Sequence, residues 1–138
     1  MLGGVEIQHD RGLLGHSDAD VLTHAIIDAL LGAAGEGDIG EHFPDTDERY
    51  RDADSLELLR AVVALLSERD LVIRHVDATV VMERPRLARH RDAIRDRLAA
   101  ELGVGPGGIN VKATTGEGMG FVGRGEGVAA LAVATLVG

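Results

Sequence analysis

Two β-branched runs with a helix-periodic stretch between them most constrain the fold of this chain. LVIRHVDATVVME (71–83) and INVKATT (109–115) both alternate with period two, while Leu87, Ile94, Leu98 and Leu102 recur at helical spacing over about 87–102. In the first run the alternation predicts Val72, Arg74, Val76, Ala78 and Val80 on one side, and Ile73, His75, Asp77, Thr79 and Val81 on the other. Pro85 stops that strand. VAALAVATLV (128–137) is short and carries three valines, so it is read as a last strand rather than a buried helix. A helix is predicted over 18–34 from Val21, Leu22, Ala25, Ile26, Ala29 and Leu30, capped by Ser17 or Asp18 and ended by Gly32, Gly35 and Gly37. A second spans about 55–69, opened by the capping box of Asp54 and Glu57. GVEIQ (4–8) alternates like a short strand, and 36–52 reads as a long polar, acidic loop.

The order of elements predicts an α+β fold: a ferredoxin-like α/β sandwich with a mixed sheet and its helices on one face. Apolar residues line both sides of the strands, so the face left bare by the helices is expected to meet another subunit. With 138 residues, the chain is read as a single domain over 1–138. It has no cysteine, which removes thiolate metal sites, disulfides and a cysteine nucleophile from consideration. Its net charge of −9 is uneven. Residues 1–57 hold fourteen acidic side chains against three basic ones, whereas 84–97 hold six arginines against Asp92 and Asp96. Such a surface repels a polyanion, so no nucleic acid is expected, while a small phosphorylated ligand can find a local basic spot. No apolar run reaches the roughly 20 residues of a membrane span, and a cytoplasmic location is expected.

Three clusters could carry chemistry. In HSDADVLTH (16–24), Asp20 and His24 lie one helical turn apart, with Asp28 continuing the line. They could share a metal, or form an Asp–His pair on a solvated face. His16 and Ser17 precede the helix, where free backbone donors and a hydroxyl could take a phosphate. DIGEHFPDTD (38–47) gathers Asp38, Glu41, Asp45 and Asp47 around His42 and Phe43, which is either a solvated acidic loop or a lining for a cationic or hydroxyl-rich group. VKATTGEGMGFVGRG (111–125) offers the hydroxyls of Thr114 and Thr115, glycines that allow close backbone approach, Glu117 for a hard divalent ion and Arg124 for a phosphate. A glycine-rich turn with no ligand is the alternative. Its lysine precedes the glycines, so it is not a Walker loop.

GLLGHSDADVLTHAIIDALLGAAGEGDIGEHFPDTD, DADSLELLR and INVKATTGEGMGFVGRGEG together closely resemble the 2-C-methyl-D-erythritol 2,4-cyclodiphosphate synthase family, over residues 3–138. The resemblance implies a homotrimer with active sites between subunits, packed sheet to sheet. It also implies a non-mevalonate isoprenoid reaction in which 4-diphosphocytidyl-2-C-methyl-D-erythritol 2-phosphate closes to the 2,4-cyclodiphosphate and releases CMP. Zinc and a second ion, magnesium or manganese, are the implied cofactors. By matched residue, His24 is implied as a zinc ligand and Glu117 as the holder of the second ion. His16 and Ser17 are implied to bind phosphate, and His16 with Thr115 to steady the transition state. Asp38, Ile39 and Gly40, with Phe43, Pro44, Asp45, Thr46 and Asp47, are implied to hold the methylerythritol part. Met82, Glu83, Arg84, Pro85, Arg86, Leu87 and Ala88, with Thr114, are implied to frame the cytidine and its phosphates. Phe121 and Arg124 are implied to close the phosphate side. Gly116, also in this segment, stands where the family usually has threonine. The family's other zinc ligands belong to a Gly-x-Asp-x-His motif ahead of the Gly3-Gly4 turn, so the first strand is expected to be missing from this sequence. The alternative readings are a shortened homologue with a binding or structural role, and a divalent-metal phosphohydrolase.

Overall fold

β1 (Val72–Val81) is the middle strand of a three-stranded sheet, between β2 (Ile109–Thr114) and β3 (Ala129–Val137). The computed structural model describes residues 1–7, 20–50, 53–83, 87–125 and 127–138. β2 runs parallel to β1 and β3 antiparallel to it, so the sheet is mixed, as the sequence predicts. A parallel neighbour needs a crossover, which α4 (Arg91–Leu102) supplies. Three helices share one face. α1 (Val21–Ala33) lies on β3 and β1, α4 lies on β2, and α3 (Ser55–Glu68) packs against both helices. Val76, Ala78 and Val80 point into this layer with Ile109 and Val111, all of them buried. No described element covers the opposite face, where Leu131 and Val133 are 63% and 70% exposed.

The predicted alternation of β1 holds from His75 onward and slips before it. A register shift between Ile73 and His75 leaves Arg74 without a cross-strand partner on β3, so Ile73 pairs with Leu136 on the core side and Val72 with Val137 on the bare side. One extra residue reverses the facing of everything before it. The α1 stripe is also displaced from its predicted line. Ile27 and Leu31 are fully buried with Leu22, Ile26 and Leu30, while Val21, Ala25 and Ala29 are only half-buried, because this helix is covered by the sheet and by α3 together. The helix predicted over about 87–102 is a 3-10 turn at Leu87–Arg89 followed by α4, and its apolar line is kept. Asp54 caps α3 through the amide of Leu56, and Leu87, Ile94, Leu98 and Leu102 are all buried.

The predicted strand over 4–8 is a correction. Leu2 and Val5 exchange both backbone hydrogen bonds, at 2.8 and 2.9 Å, around a two-residue turn of Gly3 and Gly4. Both glycines have positive φ, +54° and +78°, a geometry that side-chain-bearing residues seldom take. The turn is wedged into the helical layer: a Cβ on Gly3 would collide with Ile94, and one on Gly4 with Leu56. The buried carboxylate of Asp20 holds it there. Asp20 accepts the amides of Gly3 and Gly4 at 2.9 Å each, and the amide and hydroxyl of Thr23 at 3.0 and 2.8 Å. Asp20 is thus the cap of α1, which opens at Val21, while the predicted caps Ser17 and Asp18 lie outside the described residues.

Removing this carboxylate strands four donors, three of them buried. Asp20→Ala is expected to lower unfolding free energy by about 3 kcal/mol, and Asp20→Asn, which keeps one acceptor but sets an amide against donors, by about 2 kcal/mol. Urea titration of both variants checks this, and a loss within about 0.5 kcal/mol, the range of an ordinary surface change, would contradict it.

Candidate active site

The parallel register carries two predicted segments to the same end of the sheet. Pairing runs from Val76 with Ile109 to Val81 with Thr114, and the amide of Met82 continues it by donating to the Thr114 carbonyl at 3.0 Å. Met82 is buried, and Glu83 follows it at the rim, half-buried. Beyond Thr114 the chain folds back as a tight loop. Thr115 Oγ1 accepts the amide of Glu117 at 3.2 Å, and Glu83 Oε1 accepts the amide of Gly118 at 3.2 Å. Glu117 has φ +52°, left-handed although it carries a side chain. The single turn α5 (Gly120–Gly123) follows, anchored by buried Val122, and Gly123 lies so close on Gly118 that a Cβ there would overlap its backbone. Thr114, Thr115, Glu117, Phe121 and Arg124 are all exposed along this stretch. Of the segment implied at the nucleotide side, Leu87 has its side chain in the core, at 3% exposure, and Ala88 is exposed. Arg84, Pro85 and Arg86 lie outside the described residues, as do His16 and Ser17.

The acidic segment is more ordered than a solvated loop. α2 (Ile39–His42) interrupts it, capped by Asp38, whose carboxylate accepts the Glu41 amide at 2.9 Å. Asp28, on α1, accepts the Ile39 amide at 2.8 Å, and His42 Nε2 donates to the Glu36 carbonyl at 2.6 Å. Asp47 grips Arg49 through its side chain and its amide, with an ion-pair distance of 2.9 Å. Glu36 pairs with Arg69 at the end of α3. Local partners therefore answer much of the like-charge crowding that the sequence presents. Half-buried Phe43 packs against the core edge, and Pro44, Asp45 and Thr46 turn past it, with the two polar residues exposed.

His24 and Asp20 share a helix, but the structure separates their tasks. Four donors occupy the Asp20 carboxylate, so it does not serve as a ligand beside His24. His24 instead reaches α3, where its Nε2 and Ser55 Oγ share a hydrogen bond at 2.9 Å. Among the described residues no group of three or more His, Asp or Glu could hold a metal ion. A tetrahedral zinc site takes three or four protein ligands, so the described residues do not fit zinc. A magnesium or manganese ion is commonly held by one or two carboxylates and the substrate's own phosphates, and exposed Glu117 fits that demand.

Of the six arginines at 84–97, Arg95 and Arg97 meet Asp92, Asp96 and Glu101 on the outside of α4, as a solvated helix face would. An open groove of about 670 Å³ lies at the other end of β2, lined by His75, Asp77, Arg95, Ile109 and Asn110, with Pro106 and Gly107. It contains none of the predicted site residues. Asp77 there is held below the usual carboxylate range by hydrogen bonds from Lys112 and Asn110. Sequence reasoning missed the partnerships of Ser55 and Asp28. Both are polar residues inside apolar-periodic runs, a signal that marks them for attention without naming a partner.

The YgbB family matches residues 1–137. A relative from Desulforudis audaxviator, named bifunctional enzyme IspD/IspF, is 61% identical over 99% of this chain, which spans 34% of that relative's length. One from Alkaliphilus oremlandii, named 2-C-methyl-D-erythritol 2,4-cyclodiphosphate synthase, is 55% identical over 99% of this chain and 87% of its own length. Among solved structures, the chain superposes on an IspF from Plasmodium falciparum in complex with CDP, with a TM-score of 0.83, 30% identity, and coverage of 99% of this chain and 81% of that one.

The ordering of the acidic segment has a titratable signature. Hydrogen bonds from the Arg49 side chain and amide hold the Asp47 carboxyl below its ordinary range. A lowered folded pKa means the contact stabilises at neutral pH and is lost as pH falls through that folded value. Carboxyl NMR is expected to give Asp47 a midpoint below the ordinary carboxylate range, and Arg49→Ala is expected to raise it; an ordinary midpoint for Asp47 in the parent would contradict the contact.

Proposed function

The chain belongs to the YgbB family, and on that premise we propose that it carries 2-C-methyl-D-erythritol 2,4-cyclodiphosphate synthase activity, as a phosphorus–oxygen lyase of the non-mevalonate isoprenoid pathway. The observation that carries this reading is 55% identity, over 99% of the chain, to a synthase of which it spans 87%. That likeness favours turnover over a binding-only homologue or a divalent-metal phosphohydrolase. Residues 1–138 are read as one domain of that family, whether the protein is monofunctional or one part of a bifunctional chain.

In the reaction proposed, an oxygen of the substrate's 2-phosphate forms a bond to the β-phosphorus of the diphosphocytidyl group. The bond from that phosphorus to the CMP oxygen breaks, and CMP leaves. No protein nucleophile is required. What the chain supplies is orientation and charge compensation. Thr114 and Thr115 at the end of β2 offer hydroxyl donors, and Gly118 and Gly120 leave open space beside the loop backbone. Arg124 and Phe121 close the phosphate side, and His16 and Ser17, which precede α1 in the sequence, bind phosphate. The segment Met82 to Ala88 frames the cytidine, apart from the side chains of Glu83, which holds the Gly118 amide, and Leu87, which lies in the core, and Asp38 to Gly40 with Phe43 to Asp47 enclose the methylerythritol part. Asp38 and Asp47 already have partners within the segment, so it is the shape of this segment that recognises the sugar-like moiety, more than free carboxylates.

The family implies a divalent metal. Glu117 is the residue proposed to hold magnesium or manganese, which would neutralise the crowded phosphates, and zinc at His24 carries no step because the described residues do not complete its site. Subunit packing is proposed from the bare sheet face. Leu131, Val133 and Val137 stand there at 63%, 70% and 43% exposure, an apolar strip that a second and third copy of the chain would cover in a homotrimer with sites between subunits. No helix among the described residues is long and apolar enough to cross a membrane, and a cytoplasmic setting is proposed with the substrate.

Two experiments test this reading. Incubating the protein with substrate and magnesium or manganese is expected to give CMP and the cyclodiphosphate in equal amounts, and Thr115→Val is expected to lower kcat by about 10²-fold. CMP with a linear phosphate product would point to a phosphohydrolase, and unchanged substrate would overturn catalysis. Sedimentation tests assembly. Val133→Asp is expected to give folded monomers, whereas Ala132→Asp, on the core-facing side against α1, is expected to unfold the chain. A trimeric Val133→Asp variant or a monomeric parent would contradict the sheet-to-sheet packing.

A further inference from the structure

Glu83 follows directly on the last backbone contact between the ends of β1 and β2, yet its side chain turns away from its own strand. Its Oε1 accepts the amide of Gly118 at 3.2 Å, 35 residues further along the chain. That amide belongs to the turn over Thr115–Gly118, where Glu117 and Gly118 are both left-handed, at φ +52° and +77°. A residue with a Cβ resists that region, so Glu117 stays in it only if its surroundings hold it. Inside the turn two contacts do so, the Glu117 amide on Thr115 Oγ1 at 3.2 Å and the Met119 amide on the Gly116 carbonyl at 3.0 Å. From outside, the Glu83 carboxylate is the described contact to the next amide. Gly116 gives that carboxylate its place. A Cβ on Gly116 would stand 3.3 Å from Glu83 Oε1, and 3.1 Å from both the Met119 carbonyl oxygen and the Gly123 nitrogen.

We propose that Glu83 is a positioning residue that locks the Thr115–Gly118 turn, and so aims the Thr115 hydroxyl and the Glu117 carboxylate, without its side chain contacting the substrate. The proposal rests on the synthase reading for its catalytic consequence and on geometry alone for the lock. It separates Glu83 from its neighbours in the segment expected to frame the nucleotide, because its acceptor is already engaged by the loop. Reach is what matters for this task. Glutamine keeps an acceptor oxygen at the same distance, whereas aspartate keeps the charge but falls one methylene short.

The test compares Glu83→Gln, Glu83→Asp and Glu83→Ala in the full chain. Amide hydrogen exchange is expected to show Gly118 protected in the parent and in Glu83→Gln, and exchanging roughly tenfold faster in Glu83→Asp and Glu83→Ala. CDP affinity, measured by calorimetry, is expected to stay within about threefold in all of them, while kcat falls about 10²-fold in the Asp and Ala variants and is largely kept by Gln. Should Glu83→Ala fail to fold, the Asp and Gln pair carries the same comparison. Unchanged Gly118 exchange in the Asp and Ala variants would overturn the lock. A loss of CDP affinity with normal Gly118 exchange would overturn it in favour of direct nucleotide contact, as would a Gln variant no better than Asp. If the parent itself does not turn over, the synthase reading fails, while the exchange and CDP measurements still decide the role of Glu83.

Discussion

The parallel pairing of β1 with β2 is the constraint on which the rest of this structure depends. An antiparallel partner would have placed the end of β2 beside the start of β1, among His75 and Asp77. Parallel pairing in the observed register instead sets Thr114 beside Val81 and lets Met82 donate to its carbonyl. Two segments more than 30 residues apart thereby meet at one end of the sheet. Ligands of α/β sheets commonly sit outside the carboxyl ends of parallel strands, where successive loops diverge and leave a crevice. Here one loop returns as the glycine turn and the other leads to α4, with Glu83 bridging them.

Asp20 provides a second constraint, within the helical layer. A buried carboxylate is costly unless its lone pairs are met, and Asp20 meets two amides of the Gly3-Gly4 turn and two donors of Thr23. The same contacts fix where α1 begins, and so the turn on which His24 faces Ser55 of α3. The acidic segment is tied to this frame by Asp28, which reaches from α1 to the first amide of α2. Charges that look repulsive along the sequence are divided among caps and arginine partners in three dimensions.

How much of this was legible depended on whether a feature is local. The helix lines of α3 and α4, the strands β1 to β3 and the mixed sheet follow from periodicity and chain order, since burial on one face leaves its period in the sequence. The bulge at Arg74 was not legible, because an extra residue leaves the composition of the run unchanged and shows only against Leu136 and Thr135 of β3. The same holds for Asp20. Its spacing to His24 suggested a shared ligand, and only the folded Gly3-Gly4 turn, seventeen residues away from it, reveals the stronger claim on the carboxylate. At the site, residue types pointed to phosphate chemistry near Thr114, Thr115 and the glycines, and the strand register sets these residues beside Met82 and Glu83. That Glu83 would engage the loop's backbone could not be read, because it requires the register of two strands and a glycine at 116 together.

The central claim is that ligand chemistry belongs to the carboxyl ends of β1 and β2. Backbone NMR of the labelled protein titrated with CDP tests it most directly. The account predicts the largest shift changes at the amides of Met82 and Glu83 and of Thr114 to Gly118, with Leu2 to Val5 unmoved. Changes centred instead on His75, Asp77 and Asn110, in the groove at the far end of β2, would contradict it.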